Sequence, residues 1–512
     1  MNRRTFLRAT AAATAAGLGA GFWERALAAP VQPGPSPYGP LQAPDANGMR
    51  LPPGFTSRVL AASLTPVADT TYLWHIFPDG GACVPAADGG WIYVSNSEFP
   101  VPVDIPDATG LVAAVSAAAL MLPGSPALPP RGGVSAMRFD AAGNVVDAYS
   151  ILSGSFCNCA GGMTPWGTWL SCEEWESDGV LTGYEGGLVW ECDPTGAAAA
   201  VARPALGRFK HEMAACDPER EQIYLTEDQP NGLIYRYTPP ADTWGSGIAL
   251  AGGTLEAMKV GAGSTTTWIR VADFVDPSAP AGPIRGLVAG ATPFDGGEGC
   301  LYDDGKVFIT TKGDDRVWVH DVMAQTMRVL YDGHEHPVPV LDGVDNIAVS
   351  TAHDLYVAED GGNLEVCMIT PDNVVAAVVQ MTGPQHGFDS GTPIPFESEV
   401  TGLALSPDGN RLYFNSERGW GIGNLPVGPG PGVLYEITGP FRGGTLAAAA
   451  AAAPGTTTAP APQGPGQSIP ITGREAPLGV AAVAAAAGGA LWRLRSRVEV
   501  AGSPPSADSV DA

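Results

Sequence analysis

The side chains best suited to chemistry in this sequence are carboxylates gathered in short runs, with thiols and an imidazole among them. The densest run, NCAGGMTPWGTWLSCEEWE, brings together Asn158, Cys159, Cys172, Glu173, Glu174 and Glu176. His211 and Glu212 follow in GRFKHEMAACD, Glu227 and Asp228 in YLTEDQ, Glu298 in FDGGEGC, and Asp345 with Asn346 in GVDNIAVS. Glu359, Asp360 and Glu399 complete the set. Calcium and magnesium collect several hard oxygens, whereas iron accepts carboxylates together with a softer thiolate or imidazole. Carboxylates drawn from separate parts of the chain can therefore hold a mixed cluster. Each residue also has a plainer reading. A glutamate at a strand end is commonly a solvated charge, His211 can bond a buried carbonyl, and Cys172 alternates with Trp169 as core. Neither an HExxH metalloprotease signature nor an EF-hand loop occurs, so spacing alone leaves the reaction open.

The elements that must position these groups repeat six times. WIYVSNSE (from Trp91), TWLSCEE (from Thr168), QIYLTED (from Gln222), KVFITTKGD (from Lys306), DLYVAED (from Asp354) and RLYFNSE (from Arg411) share one form. Each alternates large apolar side chains as a half-buried strand does, and each ends in an acidic residue. Most follow a turn rich in Gly, Asp and Pro, namely AADGG, DPERE, YDDGK or SPDGN, of the kind that joins antiparallel strands. A second strand follows each acidic end: GGVSAMRFD, GGLVWECD, GLIYRYTP, RVWVHDV, NLEVCMIT and GVLYEITG. Amphipathic helical pattern is nearly absent, which weighs against alternating strand–helix layers. The pattern predicts an all-β fold over residues 56–441, a six-bladed β-propeller with long inserted loops, with a β-sandwich as the alternative. In a propeller, successive strand ends face one side and its central channel, so residues far apart in sequence can meet there.

Composition narrows the class of partner. The chain has 512 residues, 53 acidic against 27 basic, and a formal charge of −26. Nucleic acid binding needs a basic footprint and is not expected; carboxylates that hold cations are. Arg3 and Arg4 in NRRTFLR, an alanine-rich stretch and the exit Ala26-Leu27-Ala28 predict a twin-arginine signal peptide over residues 1–28. The twin-arginine export machinery is then a partner, and the mature chain is periplasmic, secreted or at the cell surface. Residues 29–55 read as an extended arm and 442–473 as an Ala/Pro/Thr/Gly linker. Residues 474–497 end in three arginines after a short apolar run and form a possible membrane anchor, followed by a disordered tail at 498–512. Eight cysteines in an exported chain invite a disulfide reading. Cys157 and Cys159 sit too close in sequence to pair easily, so one can bridge elsewhere while the other serves as a ligand. A closed ring of blades leaves few long edges, so a monomer is expected.

The same runs resemble the PhoX-type alkaline phosphatase family. The matching stretches are NCAGGMTPWGTWLSCEE, GRFKHEMAACDPERE with QIYLTED, FDGGEGC, GVDNIAVS with DLYVAEDGG, and EVTGLALSPDGNRLYFNSE, together covering roughly residues 60–440. The resemblance implies a six-bladed propeller that carries two irons and several calcium ions on its axis and hydrolyses phosphate monoesters. It implies that Cys159 is a thiolate ligand to iron and that Glu212, Glu298 and Asp345 hold or bridge the irons. Glu173 and Glu174 fall among the calcium ligands, and Asn346 lies beside the cluster. One departure stands out. Active family members carry an arginine two residues before the glutamate matching Glu298, and here that position is Gly296. Arg316, after the TTKGDD turn, is the candidate to reach in from the neighbouring strand.

The leading expectation is a phosphate ester substrate hydrolysed with metal assistance, with Asn346, Arg316 and His211 as candidate catalytic side chains. Two other readings compete. A calcium-dependent lactonase-like hydrolase also places carboxylates on a propeller axis, but hard calcium has no use for the Cys159 thiolate. An exported calcium-binding propeller with a binding or scaffold role suits the missing arginine and the tail.

Overall fold

The computed structural model describes residues 23, 30–99, 132–176, 186–271, 284–386, 398–419 and 432–446. The export signal, Trp23 apart, and the linker beyond 446, the anchor segment and the tail lie outside these residues. Among the described residues no helix is long and apolar enough to cross a membrane.

Strands account for nearly all regular structure. The N-terminal arm supplies β1 (Gln32–Pro33) and β2 (Met49–Arg50), which pair with the outer edge of the fifth blade, and β3 (Thr56–Ala62) follows the arm. The first blade is β4 (Pro78–Pro85), β5 (Trp91–Ser97), β6 (Gly132–Phe139) and β7 (Val145–Ser155). The second is β8 (Asn158–Met163), β9 (Trp169–Glu173), β10 (Val189–Cys192) and β11 (Val201–Ala202). The third adds a fifth strand: β12 (His211–Asp217), β13 (Gln222–Glu227), β14 (Ile234–Thr238), β15 (Thr254–Val260) and β16 (Thr266–Arg270). The fourth is β17 (Gly297–Asp303), β18 (Lys306–Thr311), β19 (Arg316–Asp321) and β20 (Thr326–Asp332). The fifth is β21 (Val344–Val349), β22 (Leu355–Glu359), β23 (Glu365–Thr370) and β24 (Val374–Met381). In the sixth, β25 (Val400–Leu405), β26 (Arg411–Ser416) and β27 (Val433–Thr438) are completed by β3 from the other end of the chain.

This is the six-bladed β-propeller the repeats predict. The six hairpins read from the sequence are the second and third strands of each blade. The second strands are buried along almost their whole length because each blade is covered on both faces. Apolar side chains meet in six seams, one per blade interface, in place of a single central core. Tyr93 and Met137 meet Tyr413 and Leu434 across the seam that closes the ring, for example, with the Tyr93 and Tyr413 rings 5.2 Å apart. Leu170 and Val189 meet Ile223 and Leu225 between the second and third blades. Apolar area removed from water at about 25 cal/mol per Å² is what binds one blade to the next.

The innermost strand of every blade breaks register at the same place. The shift falls between Pro78 and Gly81, Asn158 and Gly161, His211 and Ala214, Gly297 and Cys300, Val344 and Ile347, and Thr401 and Ala404. A bulge of this kind re-aims a side chain out of the normal pleat. The first residue inside each is Asp79, Cys159, Glu212, Glu298, Asp345 and, in the sixth blade, Gly402. Glycine lets these strands crowd together. A Cβ on Gly162 would lie 1.7 Å from the Ala214 carbonyl oxygen, and one on Gly80 would lie 2.4 Å from the Ala160 Cα.

Candidate metal centre

Five of the six bulges present a ligand-type side chain, and the polar groups of three blades meet directly. Cys159 Sγ lies 2.9 Å from Asp79 Oδ2 and 3.1 Å from Glu212 Oε1. All three residues are buried. Among the described residues, Asp79 Oδ1 and Glu212 Oε2 are buried with no hydrogen-bond partner. Carboxylate oxygens left so, away from water, are costly unless a cation satisfies them.

A second ring lies one residue past the end of each second strand: Glu98, Glu174, Asp228, Lys312, Asp360 and Glu417. Five are acidic and one is a lysine. Donor atoms of the two rings lie within 4.8 Å of one another in the groups Asp79–Glu98–Cys159 and Cys159–Glu174–Glu212, and Cys157 joins Glu98 and Glu174 of the second ring in a third. Glu98, Glu399 and Glu417 form a further group, made of oxygen alone.

Burial and mutual repulsion act on this set together. Burial first, then Glu98 and Asp345, raise the Asp79 carboxyl well above its usual range. Glu212 is raised by burial and by Glu298, Glu174, Asp345 and Asp79. Burial, with Asp228 and Asp345, likewise raises Glu298, against the pull of Lys312. The Cys159 thiol is pushed up by burial and by Asp79 and Glu212. A bound cation inverts this logic by favouring the ionised forms.

Two cations already stand among the carboxylates. Lys312 Nζ lies 2.8 Å from Glu298 Oε1 and 2.9 Å from Asp360 Oδ2. Arg418 is buried and paired with Glu399 and, at 2.9 Å, with Glu417.

Polar side chains of neighbouring blades fix the bulges from behind. Asn96 Nδ2 donates to the Cys159 carbonyl at 3.0 Å, and Asn415 Nδ2 to the Asp79 carbonyl at 3.0 Å. Thr226 Oγ1 donates to the Glu298 carbonyl, and Thr310 Oγ1 to the Asp345 carbonyl at 2.6 Å. Each donor sits two residues before its blade's second-ring residue and serves the ligand residue of the next blade.

The structure thus gathers Cys159, Glu174, Glu212, Glu298 and Asp345 from the residues singled out by sequence, and sets Asn346 beside them. Asn346 Nδ2 donates to Asp345 Oδ1 at 2.9 Å, while its own Oδ1 accepts from the Gly402 N–H at 2.9 Å. Five other sequence candidates stand elsewhere. Glu173 is the last residue of β9, and its carboxylate accepts the N–H groups of Phe156 and Leu188 at 2.9 Å and the Trp190 indole at 3.0 Å. Strand alternation turns it into its own blade, where it latches the loop. Glu227 and Glu359 do the same in the third and fifth blades. His211 is turned away from Glu212 by the same alternation. Its ring lies 3.6 Å from that of Phe209, tilted against it, its Nε2 meets the Gly207 carbonyl at 3.2 Å, and burial lowers its pKa to about 3. Arg316 is tied to Asp332 and Asp314, each at 2.7 Å, on the outer side of its loop.

Sequence reasoning misses Asp79, Lys312 and Arg418 as members of the site, reads Glu98 and Glu417 only as acidic strand ends, and leaves either Cys157 or Cys159 as the ligand. Asp79 had a signal: it opens a small-residue strand just before a repeat, as Cys159 and Glu298 do. None of the eight cysteines is in a disulfide.

Residues 130–334 match the family model described as Alkaline phosphatase PhoX, so a PhoX domain is present over that span, as the resemblance implied. Among solved structures, Pseudomonas fluorescens PhoX in complex with vanadate, a transition state analogue, aligns with 79% of this chain and 98% of its own. The TM-score is 0.57 at 18% identity, a likeness of fold. XC5397 from Xanthomonas campestris, described as a gluconolactonase, covers the same 79% of this chain and 98% of its own, with 12% identity and a TM-score of 0.40, too low to bear on function. No curated protein matches the sequence.

Proposed function

We propose that the chain is an exported, metal-dependent phosphomonoesterase whose reaction centre is the polar end of the propeller axis. The observation that carries this reading is Cys159 set between Asp79 and Glu212, each with a buried oxygen lacking a partner, in a chain with a PhoX domain. The donor set fits two kinds of ion. Cys159 with Asp79, Glu212, Glu298 and Asp345 suits iron, and the oxygen-only group of Glu98, Glu399 and Glu417 suits calcium. Bound metal supplies Lewis-acid polarisation of a phosphoryl oxygen and an oxygen nucleophile at neutral pH.

The chain's own residues do the rest. Lys312 offers a cation to an arriving phosphoryl group, and its pairing with Glu298 and Asp360 keeps the ammonium at the centre. Its backbone N–H donates to the carbonyl of Gly296, so its loop is bonded to the one that holds the position where active relatives carry arginine. A lysine acts there as a point charge and does not grip two oxygens as a guanidinium fork does. Asn346 holds the Asp345 carboxylate in one orientation, and Arg418 offsets the charge of Glu399 and Glu417.

Elemental analysis of protein purified from the exported fraction, paired with hydrolysis of an aryl phosphate with and without calcium, tests the proposal. Iron together with turnover is expected, and Cys159→Ser should lose both. Calcium without iron, and no turnover of any phosphate ester, would overturn the phosphatase in favour of a binding propeller. Replacing Arg3 and Arg4 with lysine should retain the chain in the cytoplasm; unchanged export would remove the twin-arginine part of the reading.

A further inference from the structure

A cavity of about 370 Å³ opens between the third and fourth blades, lined by Pro230, Phe294, Asp295, Asp314, Arg316 and Trp318 among others. Its walls come from the loops that carry the axial residues. Pro230 lies two residues after Asp228, Asp295 three before Glu298, and Asp314 two after Lys312. Three residues of chain span about 10 Å at most. The loops are also bonded to one another: the Gly296 N–H donates to the Gln229 carbonyl, and the Gly313 N–H to the Asp295 carbonyl. The cavity thus adjoins the metal centre at Gly296, where a Cβ would lie 3.4 Å from Asp228 Oδ1 and 3.7 Å from Lys312 Cβ.

The lining has a definite chemistry. Trp318 and Phe294 stand edge to face with ring centroids 5.7 Å apart, and Trp318 Nε1 donates to Thr311 Oγ1 at 2.9 Å, which fixes the indole. Arg316 lies over the Trp318 ring at 5.6 Å with its charge spent on Asp314 and Asp332. The Asp314 carboxylate is itself occupied by Thr311 and Arg316. Asp295 differs, since among the described residues its carboxylate accepts no hydrogen bond. An aromatic face beside an acceptor carboxylate suits a ring that is apolar on its face and carries hydroxyl donors at its edge. The excess negative charge of the lining disfavours a second phosphate on that ring.

Resting on the phosphatase reading, we infer that this cavity holds the alcohol portion of the substrate, and that the preferred esters are monophosphates of a single uncharged sugar ring. The ring stacks on Trp318 and a hydroxyl donates to Asp295, while the phosphate lies at the axis.

Calorimetric binding of glucose 6-phosphate, methyl phosphate and fructose 1,6-bisphosphate to the metal-loaded chain tests this. Glucose 6-phosphate should bind about tenfold or more tightly than either other ester, the scale set by one hydrogen bond to a charged group plus ring contact. Asp295→Asn and Trp318→Ala should each remove most of that advantage and leave methyl phosphate affinity unchanged. Because Trp318 is part of β19, the exposed Asp295 variant guards against a loss that is merely of folding. Equal affinities for the three esters, or a sugar preference untouched by Asp295→Asn, would overturn the inference. Turnover of an aryl phosphate is read in parallel. Sugar preference without turnover sinks the phosphatase and leaves the cavity as a binding site, whereas turnover without preference sinks the cavity alone.

Discussion

Glu212 illustrates the tension at the residue scale. Its carboxyl is raised by burial and by four acidic neighbours. A carboxyl whose folded pKa exceeds its unfolded one stabilises the fold fully below the unfolded value, near 4.5, and that contribution is lost as pH rises. In metal-free protein Glu212→Gln should therefore melt higher than the parent at pH 8, with the gap closing toward pH 4. With metal restored the order should reverse, because the amide cannot replace the anionic ligand. Calorimetry at the two pH values, before and after chelation, checks this; a gap independent of pH would remove the electrostatic account. Lys312 gives a second residue-scale expectation. Lys312→Met should raise KM for an aryl phosphate about tenfold with kcat changed less, and Lys312→Arg should recover most of the loss. Equal losses in both variants would mean that the lysine only shapes its loop.

At the scale of elements, the site is made by bulges and by what holds them. Thr226 and Thr310 each donate to the carbonyl of a ligand residue in the next blade. Removing one such donor without changing shape, as in Thr310→Val, should weaken metal binding by roughly 10- to 100-fold while the fold survives. Competition with a chelator of known affinity measures it. Gly162→Ala is harsher: the added Cβ meets the Ala214 carbonyl and must force β8 from β12, the strands that carry Cys159 and Glu212. A cost of about 2–3 kcal/mol in stability is expected, with metal loss beyond it. Gly247→Ala, where a Cβ meets nothing, should do neither.

These elements also mark the limit of what the sequence made legible. The second strands announced themselves, because WIYVSNS or RLYFNS carries large apolar residues on faces that two seams bury. The innermost strands did not. PDGGACVP, NCAGGM and GEGCLYD are short and glycine-rich, since they face a crowded polar axis and have no apolar alternation to display. Acidic strand ends were visible, but alternation splits each pair: Glu174 faces the axis while Glu173 faces the blade. That split follows from the period of two, yet it shows only once the register past the bulge is known. Arg316 was sought as the site's cation because it follows the same turn as Lys312; the ion pairs with Asp314 and Asp332 hold it outside.

The whole molecule is a ring without a common core, and its integrity depends on the sixth blade. β3 pairs with β27 from Thr56–Thr438 to Ala62–Val433. A chain beginning at residue 63 should lose its single cooperative transition, and its first and sixth blades should become the earliest to exchange amide protons. Retained cooperativity would place the ring's strength in the other seams. The same closure reaches the axial cluster, since Asn415 and Thr401 of the last blade bond the carbonyls of Asp79 and Pro78 in the first. The frame around Asp79 therefore exists only once β25 and β26 have been made. On the proposed reading, an ion that relies on this frame is expected to enter only after the last blade has been made. Nascent chains released short of β27 should come away without iron, however much of it the surrounding medium contains.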